Sequence, residues 1–207
     1  FEKVDTVVVD KTGTLTEGRP TFEIAIPAPG YTAEEVLLMA ASLDQGSEHP
    51  LAETIVRAAR GLGMVLVKPD SFESGSGIGV RGEVSGRKLA LGNATLMEQT
   101  GVSVLPLKVQ AEGLRAKGAS VMHLAADGQL MGLLAVSDPV KASTPEALAI
   151  LKAAGIRIVM ATGDGQTTAK SVGQELGIDE IHGEVKPQDK LALVERLQKE
   201  GRVVAMA

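Results

Sequence analysis

The hydrophobic pattern divides the chain into two kinds of region. Near the start, residues 4–9 form an apolar, valine-rich run that ends abruptly at Asp10, which predicts a buried strand with polar groups at its carboxyl end. From about residue 144 onward, short apolar runs alternate with segments of helical periodicity. Strands that alternate with helices are typical of a parallel sheet covered on both faces. This part of the chain therefore predicts a doubly wound α/β domain.

Helix caps and turn residues set the expected limits of the elements in this C-terminal part. Thr144 is expected as an N-cap, with Pro145 in the first helical position and Gly155 as the C-cap. The remaining predicted elements are a strand over 156–160, a helix from about Thr167 to Gly177, a helix from Pro187 and a strand over 203–207.

The middle of the chain has a different pattern. Thr32 and Glu35 form a capping box that opens a helix, and Pro50 opens a second helix. Glycine-punctuated short strands follow between residues 75 and 92, then a helix near 107–117 and a hairpin at Asp127-Gly128. This pattern predicts an α+β domain with an antiparallel sheet. Residues 21–135 are accordingly expected to be inserted between residues 1–20 and 136–207.

Composition narrows the function classes. The 207 residues are 44% hydrophobic and only 2% aromatic, and their formal net charge is −5, which argues against a nucleic-acid-binding surface. Without cysteine there is no disulfide, thiolate metal site or cysteine nucleophile. No apolar run approaches the roughly 20 residues that cross a bilayer. The start at Phe1 and the apolar end lead us to expect a piece of a longer chain.

Asp10 begins the motif with the clearest chemistry. A carboxylate at the tip of a strand, followed by a glycine turn, is well placed to attack a phosphoryl group whose oxygens the turn amides bind. Thr162, at the tip of strand 156–160, can donate to a phosphate oxygen, and Lys190 can neutralise its charge. Asp10 and Asp164 are oxygen ligands of the kind that Mg²⁺ prefers. The alternative for an isolated motif of this kind is a capped turn.

Residues Asp10–Thr16 resemble the phosphorylation motif of P-type ATPases, which are members of the haloacid dehalogenase superfamily. Thr162-Gly163-Asp164 and Pro187…Lys190 resemble the second and third motifs, so the resemblance covers essentially the whole chain. It implies that Asp10 becomes the aspartyl phosphate, that Thr162 and Lys190 stabilise the phosphate, and that the Asp10 carboxylate and the Thr12 carbonyl bind Mg²⁺. The catalytic candidates are Asp10, Lys11, Thr12, Thr162, Gly163, Asp164 and Lys190.

One position separates the pumps from phosphatases of the same superfamily. Phosphatase members carry an aspartate two residues after the nucleophile as the acid/base for hydrolysis, and this chain has Thr12 there. Without that base, the phosphoenzyme is expected to persist, as an ion pump requires. A soluble Mg²⁺-dependent phosphatase is the alternative that Thr12 argues against, and a nucleotide-binding sensor module is a third.

The inserted region resembles the nucleotide-binding domain of heavy-metal pumps. Gly46–Ala52 contains their Ser-Glu-His-Pro signature, in which His49 stands at a helix start and packs on adenine. The alternative is that His49 is a cap or a surface residue, and that the glycines only form hairpin turns. The nucleotide-binding candidates are Asp44, Glu48, His49, Gly75, Gly77, Ile78, Gly92 and Asn93, with Gly75–Gly79 as the glycine-rich segment.

The chain departs from this family at a few positions. Asp44 is one methylene shorter than the usual glutamate, and Gly165 replaces a common asparagine. The fourth motif, a Gly-Asp-Gly-x-Asn-Asp run, is expected directly after residue 207, which makes the phosphorylation domain (1–20 and 136–207) C-terminally truncated. Asp138–Lys141 resembles the hinge that re-enters this domain, although an ordinary Asp-Pro turn is the alternative.

The resemblance as a whole implies the cytoplasmic ATP-binding region of a Cu(I)-exporting P-type ATPase, an integral protein of the cell membrane; Zn, Cd or Co pumps are alternatives. ATP and Mg²⁺ are the implied substrate and cofactor. The implied partners are the actuator and transmembrane domains of the same parent chain, with a soluble metal-binding domain as a further candidate. No nucleic acid is expected to bind. The piece is expected to be a monomer that binds ATP but turns it over poorly.

Overall fold

The computed structural model describes residues 4–75 and 77–207, which fall into two units. The first unit comprises the chain up to Arg19, residues 115–118 and residues 138–207, and the second comprises residues 20–114 and 119–137. Ser76, within the predicted glycine-rich segment, and residues 1–3 lie outside the described residues.

The helices and strands follow the predicted alternation closely. The strands are β1 (Thr6–Val9), β2 (Thr21–Pro27), β3 (Ser71–Gly75), β4 (Gly79–Val84), β5 (Arg87–Gly92), β6 (Ser120–Ala126), β7 (Gln129–Ser137), β8 (Arg157–Ala161), β9 (Glu180–His182) and β10 (Val204–Met206). The helices are α1 (Ala33–Asp44), α2 (Pro50–Gly61), α3 (Ala94–Gln99), α4 (Lys108–Arg115), α5 (Thr144–Ala153), α6 (Gln166–Glu175) and α7 (Pro187–Lys199).

A parallel sheet forms the centre of the first unit, with the strand order β10-β1-β8-β9. The β-branched run of β1 is buried along its whole length, which suits a central strand. Because successive side chains of a strand point to opposite faces, Val7 and Val9 pack with residues of α5 and α6, whereas Val8 packs with residues of α7. Helices therefore cover both faces, and the predicted doubly wound α/β fold is confirmed.

The strand order brings the predicted catalytic segments to one edge. Residues Thr6–Val9 of β1 pair in register with Arg157–Met160 of β8. Asp10 directly follows β1, and Thr162 directly follows β8. Since both strands run parallel, these two residues leave the sheet at the same, carboxyl-terminal edge, where open α/β sheets place their ligands.

An antiparallel sheet forms the second unit, with the strand order β2-β7-β6-β5-β4-β3. One face packs against α1 and α2 in a buried cluster that includes Val36, Ile55 and Leu134. Buried residues of α3 and α4, among them Leu96 and Ala111, pack with strand residues in two smaller clusters. The predicted α+β region with an antiparallel sheet is confirmed.

The start of α5 differs from the sequence prediction. Thr144 is the first helical residue and Ser143 occupies the N-cap position, so Pro145 falls one position later than predicted. The Thr144 hydroxyl donates to the Leu15 carbonyl oxygen at 2.7 Å, so a partner distant in sequence replaces the local cap. The sequence pattern also missed three elements, namely the seven-residue strand β2 and the shorter α3 and β9. None of the helices within the described residues is long and apolar enough to span a membrane.

The capping box of α1 is formed as predicted. The Glu35 amide donates to Thr32 Oγ1 at 3.2 Å, and the Thr32 amide donates to Glu35 Oε2 at 2.7 Å. These two bonds satisfy two amide groups at a helix start that have no partner within the helix.

We predict that Thr32→Ala lowers the free energy of unfolding of the second unit by about 1 kcal/mol, because the Glu35 amide loses its acceptor. Thr32→Ser keeps the hydroxyl and should leave stability nearly unchanged. The chain has one tyrosine and no tryptophan, so urea unfolding followed by Tyr31 fluorescence reports on this unit. Equal destabilisation by the two variants would show that the cap contributes nothing.

Candidate functional site

A tight turn follows Asp10 and reverses the chain at the edge of the parallel sheet. The Thr16 amide donates to the Lys11 carbonyl at 3.1 Å, and the Gly13 amide donates to Thr16 Oγ1 at 3.1 Å. Gly13 has a φ of +80°, in the left-handed region that glycine tolerates at little cost. Thr12 and Gly13 are exposed, whereas Thr16 is fully buried. The turn is thus open to solvent on one side and anchored on the other.

Lys190 and Asp10 form an ion pair across the carboxyl edge of the sheet. The Lys190 ammonium donates to Asp10 Oδ2, from the first turns of the helix that begins at Pro187. The Asp10 side chain is 36% exposed and that of Lys190 19%. The carboxylate is therefore accessible to a reactant while a cation sits beside it.

Lys11 is directed to a different carboxylate. Its side chain is 3% exposed, and its ammonium lies 2.8 Å from Asp164 Oδ2. The Thr162 hydroxyl donates to the same Asp164 oxygen at 2.8 Å. Lys11, Thr162 and Asp164 therefore form one cluster that joins the ends of β1 and β8.

The Thr162-Gly163-Asp164 segment is held by the loop that follows β9. The Thr162 amide donates to the His182 carbonyl at 3.0 Å, and its carbonyl accepts from the Val185 amide at 2.9 Å. An added Cβ at Gly163 would approach nothing closer than the Val185 carbonyl oxygen, at 3.8 Å. Gly163 is therefore not required by packing.

The oxygen ligands available for Mg²⁺ are fewer than the sequence alone suggested. Asp164 is engaged by Lys11 and Thr162 rather than free beside Asp10. Within the described residues, no group of three or more His, Cys, Asp or Glu could hold a metal ion. The accessible Asp10 carboxylate and the carbonyl of exposed Thr12 remain. Such an oxygen set fits Mg²⁺, which takes few protein ligands and fills its octahedron with water and phosphate.

His49 caps α2 in the second unit. Its Nδ1 accepts a hydrogen bond from the Leu51 amide at 3.2 Å, so the proton of the neutral ring resides on Nε2. His49 and Glu48 are both exposed. The cap interpretation is thus correct, and the ring is also accessible, so capping and nucleotide contact are compatible.

The predicted glycine segment and Asn93 lie together. Asn93 Nδ2 donates to the Gly77 carbonyl at 3.1 Å, and its Oδ1 accepts from the Leu96 amide at 3.1 Å. A Cβ on Gly92 would come within 2.1 Å of the Ile78 carbonyl oxygen, so close backbone approach requires glycine there. Gly77 has a φ of +73° and open space around it. Gly77 thus lies between β3 and β4 and is held by Asn93, whereas Gly92 ends β5, which agrees with the alternative that these glycines serve a hairpin.

A small cavity adjoins this turn. Its volume is about 280 Å³, and its lining includes Gly75, Ile78, Gly79 and Leu96. The loop between α1 and α2 lies close to β3, which lines this cavity. A Cβ added to Gly46 of that loop would lie only 2.7 Å from the ring of Phe72 in β3. The structure therefore brings Gly75, Gly77, Ile78, Gly92 and Asn93 together, with the loop that carries His49 against β3.

Asp44 differs from the other acidic candidates in its burial. It ends α1, is 4% exposed, and burial raises its pKa to about 7. Desolvation disfavours the charged carboxylate, so the proton is held more tightly in the folded state. Asp44 is therefore a buried carboxyl group, whereas the side chains of Glu48 and His49 are exposed.

Residues 4–207 match the family described as haloacid dehalogenase-like hydrolase. The chain belongs to this family.

Several P-type ATPases are similar in sequence to this haloacid dehalogenase-like chain. It is 47% identical to the silver-exporting P-type ATPase of Salmonella typhimurium over 100% of its length and 25% of the relative. It is 48% identical to a copper-exporting P-type ATPase of Legionella pneumophila over 100% of its length and 28% of the relative. The chain thus spans about a quarter of the length of these relatives.

Solved structures agree with the sequence relatives. The catalytic domain of the CPx-ATPase CopB-B superposes with a TM-score of 0.76 at 27% identity, over 99% of this chain and 71% of that one. The resemblance to heavy-metal P-type ATPases predicted from the motifs is confirmed.

Sequence reasoning did not anticipate the supporting contacts of the haloacid dehalogenase-like site. In sequence, Thr16 is the end of one motif and Asp138 belongs to the predicted hinge, and in the structure Thr16 Oγ1 lies 2.5 Å from Asp138 Oδ2. The one sequence feature that points to this contact is the position of the two polar residues. Thr16 lies just before the chain leaves the first unit, and Asp138 lies where the chain returns to it.

We predict that stability of the second unit falls as pH rises from 5 to 7, because folded Asp44 keeps a proton that the unfolded chain releases near its ordinary pKa. Asp44→Asn should reduce this fall by about 2–3 kcal/mol. Urea unfolding at pH 5, 6, 7 and 8, followed by Tyr31 fluorescence, measures it. Replacement of the exposed Asp70 by Asn is the control and should keep the wild-type slope. A wild-type slope in Asp44→Asn would contradict the prediction.

Proposed function

We propose that this chain is the ATP-binding and phosphorylation part of a Cu(I)-exporting P-type ATPase. In this proposal Asp10 accepts the γ-phosphate of Mg·ATP, and the resulting aspartyl phosphate drives ion transport. The observation that carries the proposal is the accessible Asp10 carboxylate at the end of a central parallel strand. Lys190 forms an ion pair with this carboxylate, and a turn that contains Gly13 follows it.

The reaction follows from charge and position. An Asp10 carboxylate oxygen forms a bond to the γ-phosphorus while the bond from that phosphorus to the bridging oxygen breaks, and ADP leaves with the electron pair. Lys190 reduces the repulsion between the carboxylate and the incoming phosphate, since phosphoryl transfer depends mainly on positioning and charge neutralisation. Mg²⁺, when held by the Asp10 carboxylate and the Thr12 carbonyl, would neutralise phosphate charge.

Lys11 and Thr162 have different roles in this proposal. Lys11 forms an ion pair with Asp164. Its role in this proposal is therefore to hold the ends of β1 and β8 together rather than to contact phosphate. The Thr162 hydroxyl bonds Asp164 in this structure, and rotation about one side-chain bond would release it to a phosphate oxygen.

Thr12 supports a pump over a soluble phosphatase. The side chain two residues after the nucleophile is a hydroxyl with no capacity to act as the general base that hydrolysis of an aspartyl phosphate needs. The phosphoenzyme should therefore accumulate, which fits an ion pump and not a phosphatase.

The silver- and copper-exporting relatives support copper over zinc, cadmium or cobalt as the transported metal. The proposal places the ion-binding residues, the transmembrane helices and the actuator domain in the rest of a parent chain. This region would then lie on the cytoplasmic side of a cell membrane. Residues 4–19 and 138–207 would be the phosphorylation domain, and residues 20–137, apart from 115–118, the nucleotide-binding domain.

His49 and the turn at Gly77 are the proposed adenine site. The imidazole is exposed, and its Nδ1 is occupied by the helix cap, which fixes the ring plane at the start of α2. A ring held in this way can stack on a base, a task that this chain, with 2% aromatic residues, has few other side chains to perform.

Phosphorylation of Asp10 is tested on membranes that contain the full-length parent. We expect ATP labelled at the γ-phosphate to give an acid-stable, hydroxylamine-labile label that Asp10→Asn abolishes, because an amide oxygen is a poor nucleophile. Copper, and not zinc, should stimulate labelling. Label that persists in Asp10→Asn, or its absence from the wild type, would disprove the proposal.

His49 has a capping role and a proposed stacking role, and two variants separate them. His49→Asn keeps an N-cap acceptor but removes the ring, so ATP affinity should fall roughly 5- to 50-fold with stability unchanged. His49→Ala should lose affinity and also about 1 kcal/mol of stability. Calorimetric titration with ATP and urea unfolding measure the two effects. If His49→Asn bound ATP with wild-type affinity, the stacking role would be disproved and only the capping role of His49 would remain.

A further inference from the structure

The segment Asp138–Lys141, here called the return segment, runs beside the residues that follow the Asp10 turn. The Glu17 amide donates to the Pro139 carbonyl at 2.9 Å, and the Lys141 amide donates to the Leu15 carbonyl at 3.0 Å. Between them, Thr16 and Val140 form an antiparallel bridge. These backbone bonds fix the return segment against the base of the turn.

Side chains of the return segment reach further, to Gly13 at the top of the turn. The Lys141 ammonium donates to the Gly13 carbonyl oxygen at 2.5 Å. The Gly13 amide donates to Thr16 Oγ1, which lies 2.5 Å from Asp138 Oδ2. Asp138 Oδ1 also accepts from the Arg19 amide at 3.1 Å, which holds the carboxylate in place. Both polar backbone groups of Gly13 are thus held, one by Lys141 and the other through Thr16.

This arrangement determines where the Thr12 carbonyl points. Thr12 C=O and Gly13 N–H belong to one planar trans peptide, so they point in opposite directions. Because Gly13 N–H is directed at the fully buried Thr16, the Thr12 carbonyl is directed away from it. Gly13 contributes no side chain that would restrain this peptide, and its φ of +80° lies in the left-handed region that glycine enters at little cost.

We infer that the Asp138–Thr16 pair and Lys141 position the Thr12–Gly13 peptide beside Asp10 for phosphoryl transfer. The pair holds this peptide through its Gly13 N–H, and Lys141 holds the Gly13 carbonyl of the next peptide, so that Gly13 is fixed on both sides. The inference rests on the proposed function, since it assigns these residues to the aspartyl-phosphate reaction. None of the three needs to touch the phosphate. They are positioning residues that act through the backbone of the turn.

The competing explanation is that the return segment only braces the chain where it re-enters the first unit. The backbone bonds of Glu17 and Lys141 would suffice for a brace, and they do not depend on the identity of the Lys141 side chain. Removal of the ammonium alone therefore separates the two explanations.

The first test uses the full-length parent in membranes and measures the rate of phosphoenzyme formation from labelled ATP. Lys141→Met should slow formation roughly 10- to 100-fold, because loss of a positioning contact misplaces reacting groups. ATP affinity and the melting temperature should stay at wild-type values. Lys141→Arg keeps a cation and a donor and should restore most of the rate.

The chain offers a matched control for loss of a lysine-to-backbone bond. The Lys152 ammonium donates to the Gly177 carbonyl at the end of α6, so Lys152→Met removes the same kind of contact elsewhere in the first unit. This variant should phosphorylate at the wild-type rate.

The second test does not depend on activity. Hydrogen–deuterium exchange of the peptide that covers residues 11–16 should speed up in Thr16→Val, which loses the acceptor of the Gly13 amide, and should remain slow in Thr16→Ser. Valine nearly matches threonine in shape, so the buried position should stay filled.

The outcomes are distinct from those for the proposed function. If wild-type protein forms no phosphoenzyme, the proposed function fails. If wild-type protein is labelled, a normal rate in Lys141→Met, no restoration by arginine, an equal loss in Lys152→Met or unchanged exchange in Thr16→Val each overturns the positioning role.

Discussion

The ion pair between Lys11 and Asp164 is the contact on which the candidate catalytic site depends. It lies almost out of solvent and joins the residues that follow two neighbouring strands, β1 and β8. Loss of one partner would leave an uncompensated charge in a place with little water, at a cost of about 3–5 kcal/mol. The pair therefore fixes the segment that carries Thr162 next to the segment that carries Asp10. With Lys11 committed in this way, Lys190 is the cation that meets the nucleophile.

Around this ion pair, the first unit separates rigid support from reactive groups. The buried side of the Asp10 turn is held by Thr16, and Lys141 bonds the Gly13 carbonyl, whereas Thr12 and Gly13 themselves face solvent. Such a division suits phosphoryl transfer, in which preorganised groups meet a charged reactant without having to reorganise. The second unit shows the same division in a smaller form. The Asn93 side-chain amide donates to the Gly77 carbonyl and so holds this residue, while the space beside Gly77 is empty.

Much of the fold could be predicted because its causes are local in the sequence. The valine run before Asp10, the capping box at Thr32 and the proline at the start of α2 each determine an element by themselves. Elements with weak local patterns were missed: β9 has three residues, and α3 has six. Thr144 was misplaced by one position because its hydroxyl bonds Leu15, about 130 residues away in sequence. No local rule contains such a partner.

The sequence by itself determined the two sheet types, the order of the motifs and the membership of the haloacid dehalogenase-like family, because periodicity and motif spacing are properties of the chain. Only the tertiary structure decided which charges meet. In sequence, Asp10, Lys11, Asp164 and Lys190 allow two sets of ion pairs. The parallel register of β1 with β8, together with the start of α7, selects Lys11 with Asp164 and Lys190 with Asp10. The attraction between two charges weakens with distance and strengthens with burial, and both distance and burial are set by how the chain packs.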